Sequence, residues 1–424
     1  MAASNRKKGA LQSVKGMHDI LPKDQPLWEK LRKVTRELGE QYNFERIDTP
    51  IVEPMALFER TVGEASDIVE KQMYVLKTKD DDSLVLRPEA TASVARAYVE
   101  HGMAHVPQPV KLYYFGPLYR HEQPQEGRVR QFHQAGFEII GGESDPVYDA
   151  QIVAMAYRFL EEMKVVKLEI RINSIGCKQC RPIYRKKLVD YYKSRPSCKT
   201  CKRRILVNPL RVLDCKEKEC EVTKAGAPAM IDSLCTLCRG HFKLVLEYLD
   251  ELGLSYMLDN HLVRGLDYYS RTVFEIFAEG WDAALAGGGR YDYLLELMGA
   301  KATPAVGCAV GLERVGVALT KQGTVVAAKN KPRVHFIHIG DLAKKKSLSL
   351  IEALRRGGVH VEESLGKDSL KGQLAAADKN GAELALIFGQ MEAFEESIII
   401  RDLKTGAQET VLLVKFVEAV KKRL

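Results

Sequence analysis

Eight of the nine cysteines in this 424-residue chain fall between Cys177 and Cys238. They form three C-x-x-C pairs, Cys177/Cys180, Cys198/Cys201 and Cys235/Cys238, and a looser pair, Cys215/Cys220. In a reduced protein, thiolates at this spacing suit a tetrahedral zinc ion. Four pairs close two four-thiolate sites, or one site with spare thiols; the other reading is a small helical domain with buried thiols and no metal. A disulfide framework is not expected in a reducing cytoplasm. The ninth, Cys308, reads as a small packing residue. Around the cluster lie Arg185, Lys186, Lys187, Lys202, Arg203 and Arg204, cations suited to phosphate contacts. Residues 177–260 hold 17 Lys and Arg against 10 Asp and Glu, so an excess of 7 sits in one fifth of a chain whose formal charge is +8. Charge concentrated in this way points to a polyanionic partner, although a well-solvated surface has the same composition.

Four other strings combine charge, glycine and aromatic residues. The string FGPLYRHEQPQEGRVRQFHQAGFEIIGG, from Phe115 to Gly142, is a strand ending at Arg120, a polar loop from His121 to Arg130, and a returning strand. Strand side chains alternate, so Gln134, Gly136 and Glu138 share one face while Ala135, Phe137 and Ile139 share the other. A polar sheet face beside an arginine suits a small charged ligand; the same pattern also fits a solvent-facing hairpin. LVRGLDYYSRTVFEI, from Leu262 to Ile276, sets Arg264 ahead of Tyr268 and Tyr269. LAGGGRYDYLLELMG, from Leu285 to Gly299, has three glycines in a row, which permit close backbone approach to a ligand. In AVGCAVGLERV, from Ala305 to Val315, Arg314 opens a helix after Gly307 and Gly311. A shorter string, RPEATA, puts Pro88 at a helix start and Glu89 in a first turn, where the helix dipole favours an acid.

In this order the strings resemble the signature motifs of class II aminoacyl-tRNA synthetases, in the form carried by the histidyl-tRNA synthetase family. The resemblance runs along nearly the whole chain and includes VKGMHDILP near the N-terminus and TPIVEP around Pro50. It implies activation of histidine by ATP with Mg2+, then transfer to the 3′ end of histidine tRNA. Arg120 is then the residue that holds the α-phosphate, since a guanidinium offers a planar fork of donors to phosphate oxygens. Arg264 is the catalytic arginine that meets charge growing in the transition state. Arg314 stacks on the adenine and reaches the phosphates, with Gly307 and Gly311 clearing room beside the base.

By the same resemblance Glu89, Thr91 and Gln134 hold the α-amine of histidine. Glu138 and Tyr269 contact the imidazole, and Tyr268 and Tyr291 complete the pocket. A neutral imidazole presents one donor and one acceptor. A site bonding both rejects analogues lacking them by a factor on the order of 10⁴ or more. Gln125 falls near the extra 5′ nucleotide of histidine tRNA. The region around Pro50 implies a homodimer. The chain departs from the family at Ala90, usually glycine, at Gln123, commonly arginine, and at Glu126, often basic.

Three rival readings fit less of the chain. A regulatory paralogue of these synthetases lacks the histidine signatures and the C-terminal domain. A synthetase for another amino acid does not explain LVRGLDYY and GGGRYDYL. A zinc-dependent nucleic-acid module explains the cysteines alone.

The elements that must position these residues follow from periodicity. Leu27, Leu31, Val34 and Leu38 form a helix stripe, and Lys111 to Phe115 and Phe137 to Ile140 are strands. The expected fold is α+β: an antiparallel class II sheet flanked by helices over 1–176 and 261–328, a helical cysteine-rich insertion over 177–260, and a C-terminal α/β domain of anticodon-binding type over 332–424. A linker is expected over Thr320 to Pro332 and a disordered tail over Met1 to Leu11. The content, 46% hydrophobic and 28% charged, is that of a globular protein, and no apolar run reaches the ~20 residues needed to span a bilayer. A cytoplasmic location with no membrane partner is expected.

Overall fold

Alternate residues of the strand Gln131–Ile140 pack on opposite faces of one sheet, and that division organises the catalytic part of the chain. Ala135, Phe137 and Ile139 join the main apolar cluster, while Gly136 and Glu138 face the other way. In the computed structural model the described residues are 11–63, 66–80, 82–324 and 333–424. Residues 1–10 of the expected tail and 325–332 of the expected linker lie outside them. The chain divides into two compact units, Met1–Val326 and Ala327–Leu424.

The sheet of the first unit has eight strands, in the order Glu45–Arg46, Val110–Tyr119, Gln131–Ile140, Ala305–Gly311, Trp281–Arg290, Ser270–Ala278, Leu168–Ser174, Tyr256–Leu258. Only the two outermost pairings are parallel. One face is covered by the helices Gln25–Gln41, Pro146–Glu162, Thr236–Glu251 and Leu312–Lys321, whose apolar stripes bury Leu31, Phe159, Val245 and Val315. Asp145 starts the second of these by accepting from the Val147 N–H at 2.9 Å, with Pro146 in the first turn. The opposite face carries the helix Thr91–Glu100 and a cluster containing Tyr114, Tyr268, Tyr269 and Tyr291. A small antiparallel sheet of Val52–Pro54, Ser83–Leu86 and Tyr74–Lys77 lies in the same unit.

The cysteine-rich segment is helical, with Cys180–Tyr192, Lys199–Val207 and Lys218–Ala225, and short 3-10 turns follow the second and third of these. Its core mixes thiols with Tyr184, Leu188, Val212 and Met230. Its last stretch differs from the expectation of a separate insertion reaching residue 260. Phe242, Val245 and Leu249 pack in the main catalytic core, and Tyr256–Leu258 is the edge strand of the large sheet. Apolar residues at helical spacing show that a face is buried but not which surface buries it.

The second unit has five strands, in the order Val361–Glu363, Val334–His338, Leu384–Phe388, Ser397–Asp402, Gln408–Leu412. The first two pairings are parallel and the last two antiparallel. The helices Asp341–Arg356, Leu370–Asn380, Gln390–Glu395 and Phe416–Lys421 accompany them. Ser369 caps Leu370–Asn380 by accepting from the Gly372 N–H at 3.2 Å.

Candidate active site

Arg87 anchors the RPEATA segment to the sheet. It is nearly buried and donates to the Thr49 carbonyl at 2.8 Å and the Pro117 carbonyl at 3.1 Å. The chain then turns into the helix Thr91–Glu100, and Glu89 accepts from the Thr91 and Ala92 N–H groups, each at 2.8 Å. Glu89 thus stands just ahead of the helix rather than in its first turn, and its carboxylate meets the first two N–H groups at the positive end of the helix dipole. It also accepts from the Tyr268 hydroxyl at 3.3 Å. Burial pushes the Glu89 carboxyl up, and the two backbone donors and the Arg120 charge oppose that shift.

Glu138 is 1% exposed and sits at the centre of this face. The Thr91 hydroxyl donates to its Oε1 at 2.7 Å, and the Tyr291 hydroxyl donates to its Oε2. Burial pushes the Glu138 carboxyl up to about 8, against the pull of those two hydroxyls. The Tyr268 and Tyr269 rings lie 4.8 Å apart between centroids, and Tyr268 meets Tyr291 edge-on at 5.7 Å. Burial likewise pushes the Tyr269 hydroxyl up to about 12.

A cavity of about 640 Å³ opens beside this cluster, lined by Arg120, Gln134, Arg264, Gly311 and Arg314 among others. Glu89, Thr91, Glu138, Tyr268, Tyr269 and Tyr291 form the buried cluster behind that lining. Arg264 joins the two parts: its guanidinium lies 5.7 Å from the Tyr269 ring centroid and is ion-paired with Glu275. The Arg264 Nε is buried with no hydrogen-bond partner among the described residues, so that donor remains for a ligand. Arg120 donates from Nε to the Pro88 carbonyl at 2.9 Å and lies over the Phe132 ring at 5.2 Å. Arg314 donates to the Ala284 carbonyl at 2.7 Å and the Gly127 carbonyl at 3.2 Å. Burial, with the like charges of Arg128 and Arg120, lowers the Arg314 guanidinium to about 10. A polyphosphate would relieve that repulsion.

One glycine expectation needs correction. Gly307 does not clear room beside a base: a Cβ there would stand 1.6 Å from Glu138 Oε2. Gly287, the first of the three consecutive glycines, lines the cavity, and all three also admit close approach of other parts of the protein. A Cβ on Gly287 would meet Arg264 Nη1 at 2.7 Å, and one on Gly288 the Gly307 carbonyl at 2.1 Å. Gln125 lies at the exposed tip of the hairpin, bridged to Arg128, and does not line the cavity.

Two further residues belong to the site. Glu275 holds Arg264, and its signal was a lone charge in the apolar run Val273 to Ile276. The Tyr114 hydroxyl is buried among the tyrosines with no partner among the described residues. Gly136, opposite it, has no side chain to exclude its ring.

The antiparallel sheet, the hairpin ending in Arg120 and the strand–helix junction bearing Arg314 define a class II aminoacyl-tRNA synthetase. Residues 16–179 and 210–315 match the family Histidyl-tRNA synthetase, and 325–423 match the family Anticodon binding domain. The Histidine–tRNA ligase of Desulforamulus reducens is 42% identical over 96% of this chain and 98% of its own length. That of Desulforudis audaxviator is 43% identical over 96% and 98%. The crystal structure of apo S. aureus histidyl-tRNA synthetase superposes with a TM-score of 0.80 at 33% identity, covering 97% of this chain and 99% of that one. This chain belongs to the histidyl-tRNA synthetase family.

Proposed function

We propose that the chain activates histidine with ATP and transfers it to the 3′ end of histidine tRNA. The observation that carries this reading is the convergence of Arg120, Arg264 and Arg314 on one cavity, directly in front of the buried Glu138 cluster. First, a histidine carboxylate oxygen attacks the α-phosphorus of ATP and pyrophosphate leaves. Arg120 and Arg264 hold the α-phosphate oxygens as their charge grows, and Arg314 holds the nucleotide. Then a hydroxyl of the terminal ribose attacks the carbonyl carbon of the adenylate, and AMP leaves.

Histidine specificity rests on Glu138 and Tyr269 at the imidazole, with Tyr268 and Tyr291 around it. Glu89, Thr91 and Gln134 take the α-amine. Each carboxylate oxygen has two lone pairs, so Glu89 can serve the helix start and an ammonium together. Enzymes of this class use ATP with Mg2+, which supplies charge neutralisation at the leaving phosphates. Glu122 and Asp282 in the cavity wall are oxygen donors of the kind Mg2+ takes alongside phosphates.

The tRNA is met by Gln125 at the hairpin tip, by the basic cysteine-rich segment and by the C-terminal unit. The working enzyme is a cytoplasmic homodimer with structural zinc in that segment. No helix of the described residues is long and apolar enough to cross a membrane. ATP–pyrophosphate exchange with each of the twenty amino acids, without tRNA, tests the reading. Exchange with histidine alone supports it; exchange with another amino acid, or with none, overturns it.

A further inference from the structure

The eight cysteines between Cys177 and Cys238 separate into two quartets. The sulfurs of Cys177, Cys180, Cys235 and Cys238 lie within 4.8 Å of one another, and so do those of Cys198, Cys201, Cys215 and Cys220. A tetrahedral ion with Zn–S bonds of ~2.3 Å places its sulfurs ~3.8 Å apart. The Cys177–Cys180 sulfurs are 3.7 Å apart, Cys177–Cys235 4.0 Å and Cys198–Cys215 3.8 Å. A disulfide needs about 2.05 Å, and all eight thiols are free. Backbone N–H groups point at the sulfurs, from Cys235 to Cys180 at 3.0 Å and from Cys198 to Cys220 at 3.1 Å. Such donors favour thiolate over thiol and orient it for a metal.

The first quartet lies against both histidine-specific segments. It begins just after the strand Leu168–Ser174, where Ile175 and Gly176 exchange backbone hydrogen bonds with Arg271, at 2.7 and 2.9 Å. Arg271 is two residues from Tyr269. The helix Cys180–Tyr192 starts on a ligand, and its second residue, Arg181, donates to the Tyr269 carbonyl. Between the first two ligands, Lys178 pairs with Glu296 and lies 4.2 Å from the Tyr293 ring centroid. Tyr293 and Glu296 follow Tyr291 in the second of those segments. Closing this quartet therefore fixes the outer ends of the two stretches whose tyrosines surround Glu138. The second quartet closes a loop that sends Asn208 to Asp267 at 2.8 Å and Arg204 to Asp67 at 3.0 Å.

Resting on the reading of this segment as a zinc domain in a histidine-activating enzyme, we propose that each quartet holds one zinc ion and that the ion on Cys177, Cys180, Cys235 and Cys238 sets the histidine pocket through Arg181. Arg181 is a positioning residue: it touches the Tyr269 carbonyl rather than substrate. On loading, each ion forms four Zn–S bonds and the four thiol protons pass to solvent, with no change of oxidation state. The quartets are separate, so losing one leaves the other.

The test combines metal analysis of the full chain, purified without added metal, with the kinetics of pyrophosphate exchange. About two zinc ions per chain are expected, and Co2+ grown into the protein should give sulfur-to-metal charge-transfer bands. Cys238→Ser should hold about one ion. Arg181→Gln should keep both and raise the histidine KM about tenfold or more, with the ATP KM within about twofold. Arg181→Lys should recover part of the loss. Zinc-loaded Arg181→Gln with an unchanged histidine KM would overturn the positioning role. Eight freely titrating thiols and no metal, in a protein that still exchanges pyrophosphate with histidine, would overturn the zinc centres and leave the activity standing. Absence of histidine exchange in zinc-loaded parent protein would overturn the activity instead.

Discussion

Gly307 stands directly opposite Glu138 in neighbouring antiparallel strands, and the Cβ it lacks would fall 1.6 Å from Glu138 Oε2 and 2.8 Å from the Phe137 carbonyl. The carboxylate fills the space that any other residue would occupy. It cannot swing aside cheaply, because Thr91 and Tyr291 hold its two oxygens. Gly307→Ala should therefore dislodge Glu138 and cost about 1–3 kcal/mol of overpacking. The histidine KM should rise at least about tenfold while ATP still binds. Equilibrium binding of histidine and of ATP to the variant checks this; unchanged histidine affinity would refute the pairing as a determinant of the pocket.

The Glu138 carboxyl, raised by burial from the ordinary 4.5 to about 8, makes a second prediction. The folded state holds this proton more tightly than the unfolded chain does. Its stabilising contribution is thus complete below about 4.5 and is lost as pH rises through about 8. Glu138→Gln is neutral throughout and should lose less Tm between pH 6 and pH 9 than the parent. It also gives up one carboxylate acceptor for the imidazole, so histidine activation should fall by a factor on the order of 10² or more. Calorimetry of the ligand-free proteins at both pH values decides the first part, and equal losses of Tm would reject it.

Arg264 Nε is buried with no hydrogen-bond partner among the described residues, and its guanidinium is ion-paired with Glu275. A donor fixed in this way stabilises transition-state charge without reorganising. Arg264→Gln should lower kcat of pyrophosphate exchange by about 10²–10³, with a much smaller change in histidine KM. Arg264→Lys keeps the charge without the planar fork and should fall between the two. If KM rose and kcat stayed, Arg264 would be a binding residue only.

Features with a short period are legible in the amino-acid sequence. The alternation from Gln131 to Ile140 puts Gln134, Gly136 and Glu138 on one face, and the stripe through Leu31, Val34 and Leu38 makes a helix. The motif strings locate Arg120, Arg264 and Arg314 among the arginines that line the cavity. What stays hidden depends on neighbours far apart in the chain. Spacing pairs Cys177 with Cys180 but cannot say that Cys235 and Cys238 complete the quartet, because three helices intervene. Glycine reports a missing Cβ and not what fills its space, so Gly307 reads toward a ligand when Glu138 occupies it. Tyr114 sits one residue outside the string that draws attention to the hairpin, and only the fold brings its hydroxyl to the tyrosine cluster.

Arg290, one residue before Tyr291, carries the last prediction. It is 1% exposed, and its Nε donates to both oxygens of Asp149 at 3.0 and 3.2 Å. Asp149 is also 1% exposed and contacts His241 Nε2 at 3.3 Å. Burial alone would raise the Asp149 carboxyl; the Arg290 charge and the His241 contact override it and hold it at about 2, below the ordinary 3.8. Removing one partner strands the other without compensation, so Asp149→Asn should cost about 3–5 kcal/mol at neutral pH. Replacing both by apolar side chains of similar volume should recover most of that loss. Because the folded carboxyl is depressed, its contribution is complete above 3.8 and vanishes as pH falls through about 2. The stability gap between parent and Asp149→Asn, read from urea midpoints, should shrink over that interval. A gap that stayed constant down to pH 2 would mean that shape, and not the carboxylate charge, is what Arg290 requires.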